Sequence, residues 1–194
     1  MDLEIQFHLA THKDIEKISY VHKRAFKNDH FSALFSVIML REYLTLLIEL
    51  NSFSLVAKRG ETIVGYIIAG DKTDESLKIF IRKNRLKMLL ILFSHPRFLI
   101  EKINEVLLRS FGKKKKSAFS MRLFLIAVDP QSVVREDGTR LLEYFEHTLK
   151  KNKIYYYGLS VRKKNEKAIS FYERNGFARE FENGKSICYY KSLI

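Results

Sequence analysis

The segment from Ser160 to Phe177, SVRKKNEKAISFYERNGF, constrains the fold more than any other part of the chain. A β-branched and aromatic run, Ile154 to Val161, leads into it and reads as a strand. Asn165 then stands where a helix needs an N-cap, because its side-chain oxygen can accept from the orphan N–H groups of the first turn. Glu166 adds negative charge at the positive end of the helix dipole. Ala168, Ile169, Phe171 and Tyr172 give this short helix its apolar residues, Asn175-Gly176 stops it, and Phe177 opens the next strand. The order is strand, polar loop, helix, glycine stop, strand. On spacing alone, any αβ connection satisfies it.

The neighbouring segments extend the alternation. Met121 to Val128, MRLFLIAV, is apolar almost throughout, as expected of a strand buried on both faces, and Asp129-Pro130 ends it. The spacing of Leu141, Leu142, Phe145 and Leu149 predicts a helix over Thr139 to Lys150. Phe177 to Phe181 and Ile187 to Tyr190 read as strands joined across Asn183-Gly184. Upstream, Leu3 to Leu9 alternates with period two, and Thr11 is placed to cap a helix bearing Ile15, Ile18, Val21 and Ala25. A second helix is expected over Phe31 to Leu50. Phe53 to Ala57 and Thr62 to Ala69 are expected as strands around an Arg59-Gly60 turn, with Gly65 at a bulge.

Asn165, Ala168, Phe171-Tyr172-Glu173 and Gly176-Phe177 together resemble the N-x-x-A-x-x-F-Y-E-x-x-G-F segment of the GNAT acyltransferase superfamily. The resemblance implies an α/β fold: a mixed, twisted, mostly antiparallel sheet of about seven strands flanked by helices, with the two strands around the cofactor parallel. It also implies acetyl-CoA as co-substrate, with Asn165 near the pantetheine arm and Tyr172 as general acid to the leaving thiolate. That role is chemically sound, since a phenol at hydrogen-bonding distance makes a thiolate a better leaving group. Backbone groups of Ile126 and Val128 are implied to pair with pantetheine.

Val128-Asp129-Pro130 and Gly138-Thr139-Arg140-Leu141-Leu142 extend the resemblance without a gap. In the family the loop between them reads roughly R-G-x-G-x-G, and its N–H groups hold the CoA pyrophosphate at a helix N-terminus. Here the loop carries Val133, Val134, Arg135, Glu136, Asp137 and Gly138, so only the last glycine remains. Arg135, Gly138, Thr139 and Arg140 are the implied cofactor contacts. Glu136 and Asp137 are expected to set carboxylates beside the diphosphate, a repulsive arrangement that Arg135, Arg140, Arg162, Lys163 and Lys164 offset. Some family members place a basic Glu six residues before Val128; this chain has Arg122. Asp71, Tyr66, His30 and His95 are candidate bases by expected proximity to an acceptor cleft. No histidine spacing suggests a metal site.

At 194 residues the chain is expected to form one domain, residues 1–194, with a basic helical insertion at about 72–120. One insertion helix is expected to end near Phe93. Another should start at Ser94-His95-Pro96, with Leu99, Ile103, Val106 and Leu107 on its face and the Lys113 to Lys116 run beyond it. The stretch Lys72 to Ser120 holds thirteen Lys/Arg against four Asp/Glu, within a chain of net charge +13, which favours anionic partners. The lone Cys188 excludes a disulfide framework. The N-terminal residues lack a signal-peptide pattern, and Met88 to Phe93 is far too short to span a bilayer, so a cytoplasmic protein is expected. The expected function is transfer of an acetyl group from acyl-CoA to a primary amine of a small molecule or protein. The alternatives are an acyl carrier protein as donor, or a non-catalytic module binding an anionic partner; nucleic acid is the disfavoured partner. The insertion's apolar stripe and basic residues also suit peripheral membrane contact.

Overall fold

Seven strands form one sheet in the order β1-β2-β3-β4-β5-β7-β6. They are β1 (Ile5–Leu9), β2 (Phe53–Arg59), β3 (Thr62–Gly70), β4 (Arg122–Val128), β5 (Tyr156–Arg162), β6 (Ala178–Asn183) and β7 (Ser186–Ser192). Every neighbouring pair is antiparallel except β4 with β5. This is the mixed, mostly antiparallel sheet that the sequence resemblance implies. The structure is a computed structural model that describes residues 4–26, 30–100, 115–131 and 137–194.

Each face of the sheet carries its own core. On one, α5 (Asp137–Lys151) and α6 (Glu166–Arg174) bury Leu141, Leu142, Phe145, Leu149 and Tyr172 against Leu123, Tyr157, Leu159 and Val161. On the other, α1 (Ile15–Ala25), α2 (Val37–Leu50) and α3 (Thr73–Lys83) pack Ile18, Val21, Leu40, Leu44 and Phe80 against Val56, Tyr66, Leu125 and Ala127. The start of α1 is set by Thr11 and Asp14, since the Thr11 N–H and hydroxyl both donate to the Asp14 carboxylate, at 2.9 and 2.8 Å.

The single helix expected over Phe31 to Leu50 is two elements. Phe31–Leu34 is a short 3-10 turn, Phe35 is extended, and α2 begins only at Val37. The Ser36 hydroxyl decides the break, because it accepts from Met39 N at 3.2 Å and caps α2 at that point. The insertion is divided at Asn84 into α3 and α4 (Arg85–Ser94), and residues 96–100 are helical from Pro96 as expected. Met88 and Ile91 of α4 face inward, whereas Leu86, Leu90 and Phe93 are exposed. Ile103, Val106, Leu107, Lys113 and Lys114 lie outside the described residues.

Gly65 does more than accompany a bulge. The register of β2 on β3 slips between Ala57 and Lys58, so the extra residue is the adjacent Val64. At Gly65 itself a Cβ would sit 3.0 Å from the Ala127 carbonyl oxygen and 3.2 Å from Leu141 Cδ2. The glycine thus lets β3, β4 and α5 close on one another. Gly65→Ala is expected to cost about 1–3 kcal/mol, because backbone rather than a flexible side chain meets the new methyl. Urea unfolding measures it, and an unchanged midpoint would refute the close-approach role.

Candidate active site

The site is organised by a parallel pair that barely pairs. Although β4 and β5 are seven residues each, only Arg122↔Gly158 and Leu123↔Leu159 are in register. The cause lies in β4. Its partners on β3 run Ala69↔Leu123 and then Ile68↔Leu125, leaving Phe124 as an extra residue. A bulge bends and twists the strand that carries it, here directly beyond the last pair with β5.

The bulge also fixes which backbone groups are left open. Asp129 N donates to Val64 O at 2.7 Å, so Asp129 faces β3. Hydrogen-bonding direction alternates along an antiparallel strand, so Ala127 and Leu125 face β3 as well. Ile126 and Val128 therefore turn their N–H and C=O towards β5, which no longer pairs there. The result is a short open strand edge inside the sheet.

On one side of this divergence lie the residues that the helical motifs supply. Gly138 falls in the first described turn of α5, and Thr139 and Arg140 follow it, half-buried and exposed. A Cβ on Gly138 would contact the Phe171 ring at 3.5 Å and Val128 at 3.7 Å, so α5, α6 and the open end of β4 converge at this glycine. Asn165 caps α6, its side-chain oxygen accepting from Ala168 N at 3.2 Å, and the residue is otherwise exposed. Tyr172 is 7% exposed, with Phe171 and Phe177 rings at 5.4 and 5.2 Å. Burial pushes its phenol well above the ordinary value, so it stays protonated. Its hydroxyl donates to no described residue.

Asp137 departs from expectation. Its carboxylate is buried and paired with Arg59 Nη2 at 3.3 and 3.4 Å, rather than standing free beside a diphosphate site. The helix start is shielded from that charge by a partner on β2. Arg135 and Glu136 lie outside the described residues.

On the opposite face a chain of polar groups runs inward from the divergence. Tyr66 Oη lies 2.5 Å from His22 Nδ1, His22 Nε2 lies 2.6 Å from Ser32 Oγ, and Ser32 Oγ lies 2.6 Å from His30 Nδ1. The buried Tyr66 phenol has one described partner, so it donates to His22 Nδ1. Neutral His22 then carries its hydrogen on Nε2 and donates to Ser32, and Ser32 donates to His30 Nδ1. The hydrogen of neutral His30 is left on Nε2. Of the candidate bases, Tyr66 and His30 join this chain. Asp71 is exposed, and His95 is an exposed residue at the end of α4 with Nδ1 3.0 Å from Ile91 O. The sequence reading missed His22 and Ser32; the signal for His22 was a polar residue on the buried face of α1, four residues after Ile18.

Arg122 occupies the position where some family members carry a glutamate. Its guanidinium lies over Gly158, where a Cβ would be 2.5 Å from Nη1, and Nη2 donates to Ser160 Oγ at 2.7 Å. No cluster of potential metal ligands occurs among the described residues.

The profile of the acetyltransferase (GNAT) family matches residues 15–177. No curated protein matches the chain in sequence. Among solved structures, the PaiA N-acetyltransferase of Thermoplasma acidophilum in complex with coenzyme A is similar at 18% identity, over 98% of this chain and 99% of that one, with a TM-score of 0.62. An acetyltransferase of Thermus thermophilus is similar at 16% identity over all of both chains, with a TM-score of 0.64. The polyamine N-acetyltransferase of Drosophila melanogaster is 14% identical over 98% of this chain and all of that one, at 0.62. These likenesses are likenesses of fold.

The polar chain has a consequence for stability. Burial lowers His22 from the ordinary 6.5 to about 3, with His30 and Lys23 adding to the effect. Burial, then the Arg162 charge, lowers His30 to about 4. Between about 4 and 6.5 the unfolded chain binds protons that the folded chain does not, so the stability these residues confer is complete above 6.5 and declines as the pH falls towards 4. The melting temperature should drop over that window, and His22→Gln should reduce the slope. A slope identical in the variant would contradict the buried, neutral assignment.

Proposed function

Because the chain belongs to the GNAT acetyltransferase family, we propose that it transfers an acetyl group from acetyl-CoA to a primary amine by direct attack, at the divergence of β4 and β5. The observation that carries this reading is the open edge of Ile126 and Val128. An acyl-pantetheine arm carries amides of its own, and an open strand edge offers them the donors and acceptors that a missing strand would have used. The remaining residues suit the rest of the ligand. Gly138 and Thr139 lie in the first described turn of α5, and backbone N–H groups at the N-terminal end of a helix suit a diphosphate, with Arg140 and Arg135 adding charge. Pairing of Asp137 with Arg59 offsets the repulsion that its carboxylate would otherwise exert there. The side-chain amide of Asn165 serves the pantetheine arm from the far wall.

In the transfer the amine nitrogen bonds to the acyl carbon, the C–S bond breaks, the thiolate of CoA leaves, and the proton shed by the nitrogen passes to water. Tyr172 protonates or solvates that thiolate. Its buried, protonated phenol suits a donor rather than a base, and its hydroxyl spends no hydrogen bond on a described residue.

Tyr172→Phe keeps the ring and its contacts with Phe171 and Phe177 while removing the hydroxyl, the one donor group of that side chain. kcat is expected to fall by roughly 10²–10⁴-fold with the KM for acetyl-CoA little changed. The stabilisation of the fold by bound acetyl-CoA should be retained. A variant of normal stability and near-native kcat, in an assay limited by chemistry, would reject the acid role.

A further inference from the structure

α4 carries two apolar stripes, and the fold uses one of them. Met88 and Ile91 pack against the core on the α1–α2 side of the sheet. Leu86, Leu89, Leu90 and Phe93 recur at the i, i+3, i+4, i+7 spacing, which sets them within about 100° of one another on the other side of the helix. They are 71, 49, 67 and 70% exposed. A continuous stripe of large apolar side chains left in water is costly, and it marks a surface that meets something apolar.

The charges around this stripe are mostly of one sign. Arg85 and Lys87 are exposed, and the same helical spacing stands them on its two flanks. Arg82 and Lys83 lie in the last turn of α3, just before it. Between Ser76 and Ile100 the sequence carries Lys78, Arg82, Lys83, Arg85, Lys87 and Arg97, and neither Asp nor Glu. Lys83 pairs with Glu42 of α2 at 2.8 Å, and the charge of Lys87 reaches the same carboxylate, so one anion is shared by two cations. The stretch 101–114 adds Glu101 and Glu105 against Lys102, Arg109, Lys113 and Lys114, so it too is net positive.

Charge and shape separate the occupants that such a stripe can take. A second copy of the chain would bring its own α4 to a two-fold contact, cation against cation. A folded acidic protein would match the charge, but the stripe is one convex row of three leucines and a phenylalanine, without the Tyr or Trp that anchor protein partners. Hydrocarbon asks for no matching shape. At a bilayer surface, anionic headgroups meet cations on both flanks of the stripe, and the long Lys and Arg stems keep the charge among those headgroups. The ten residues of α4 rise about 15 Å, enough to lie in the interface but not to cross it. We propose that α4 is a peripheral membrane anchor, in which Leu86, Leu89, Leu90 and Phe93 enter the headgroup–acyl boundary of an anionic bilayer while Arg85 and Lys87 pair with its phosphates. None of these residues belongs to the site at the β4–β5 divergence, so the anchor and acyl transfer hold or fail independently.

Co-sedimentation of the full chain with unilamellar vesicles tests the anchor. On phosphatidylcholine containing about 30% phosphatidylserine, the partition coefficient should exceed that on phosphatidylcholine alone by about 10-fold or more at ~0.1 M salt, and most of the excess should vanish at ~0.5 M. Leu90→Gln combined with Phe93→Gln should lower binding to the anionic vesicles by about 10-fold or more. Both side chains are exposed, so the melting temperature should stay as it is. Arg85→Gln combined with Lys87→Gln should bring the anionic vesicles towards the neutral ones. The anchor is rejected if the protein binds neither vesicle or binds both equally. It is rejected as well if the Leu90 and Phe93 variant binds as tightly as the parent, because charge alone would then hold the protein. Dimerisation in analytical ultracentrifugation that the same variant abolishes would give the stripe to a second copy. Binding of soluble poly-glutamate that the same variant abolishes would give it to an acidic protein. Either result overturns the assignment to lipid.

Discussion

The extra residue at Phe124 is the constraint on which the rest of the structure depends. Without it β4 would continue beside β5, and the groups of Ile126 and Val128 would be spent on an ordinary parallel ladder. With it, the strands pair for two residues and separate, and the sheet opens at its centre. The opening survives because everything around it is closed. β3 holds the other edge of β4 along nearly its whole length, and β7 pairs with all seven residues of β5. Gly65 lets α5 settle on the β3–β4 seam. An open backbone edge in a core is costly in itself, and the surrounding sheet pins it in place.

The two faces of the opening have different chemistry, and each comes from a compensation elsewhere. Towards α5 and α6, aromatic packing keeps Tyr172 protonated, and Arg59 reaches from β2 to neutralise Asp137 at a helix start that would otherwise repel anions. Towards α1, the residue that replaces a carboxylate is Arg122, and the polar chain from Tyr66 to His30 is uncharged at neutral pH. A buried chain of this kind is stable only when each member is satisfied. Ser32 permits it, since one hydroxyl can accept from His22 and donate to His30 at once.

Much of this was legible in the sequence, and the failures have physical causes. The Asn165 cap, the Gly176 stop and the alternation of β4 and β5 are local signals, and each element formed close to where they place it. The break before α2 was written in Ser36, but the apolar residues on either side of it masked a capping hydroxyl. Asp137 was misread because its partner lies 78 residues away, on a strand whose register no local pattern reveals. The bulge at Phe124 was invisible for the same reason. A run of apolar residues buried on both faces carries no period to interrupt, so an extra residue leaves no mark. His22 and Ser32 are ordinary residues on a helix and a turn, and only the tertiary fold brings them together.

Uptake of an acyl-CoA arm along the strand edge that β5 abandons is tested at single residues by amide hydrogen exchange. With saturating acetyl-CoA, exchange at the Ile126 or Val128 amide is expected to slow by about 10-fold or more, while Ala127, which faces β3, changes little. If acetyl-CoA raises the melting temperature yet both amides exchange as fast as in the free protein, the ligand is held elsewhere, and the role assigned to the divergence of β4 from β5 is wrong.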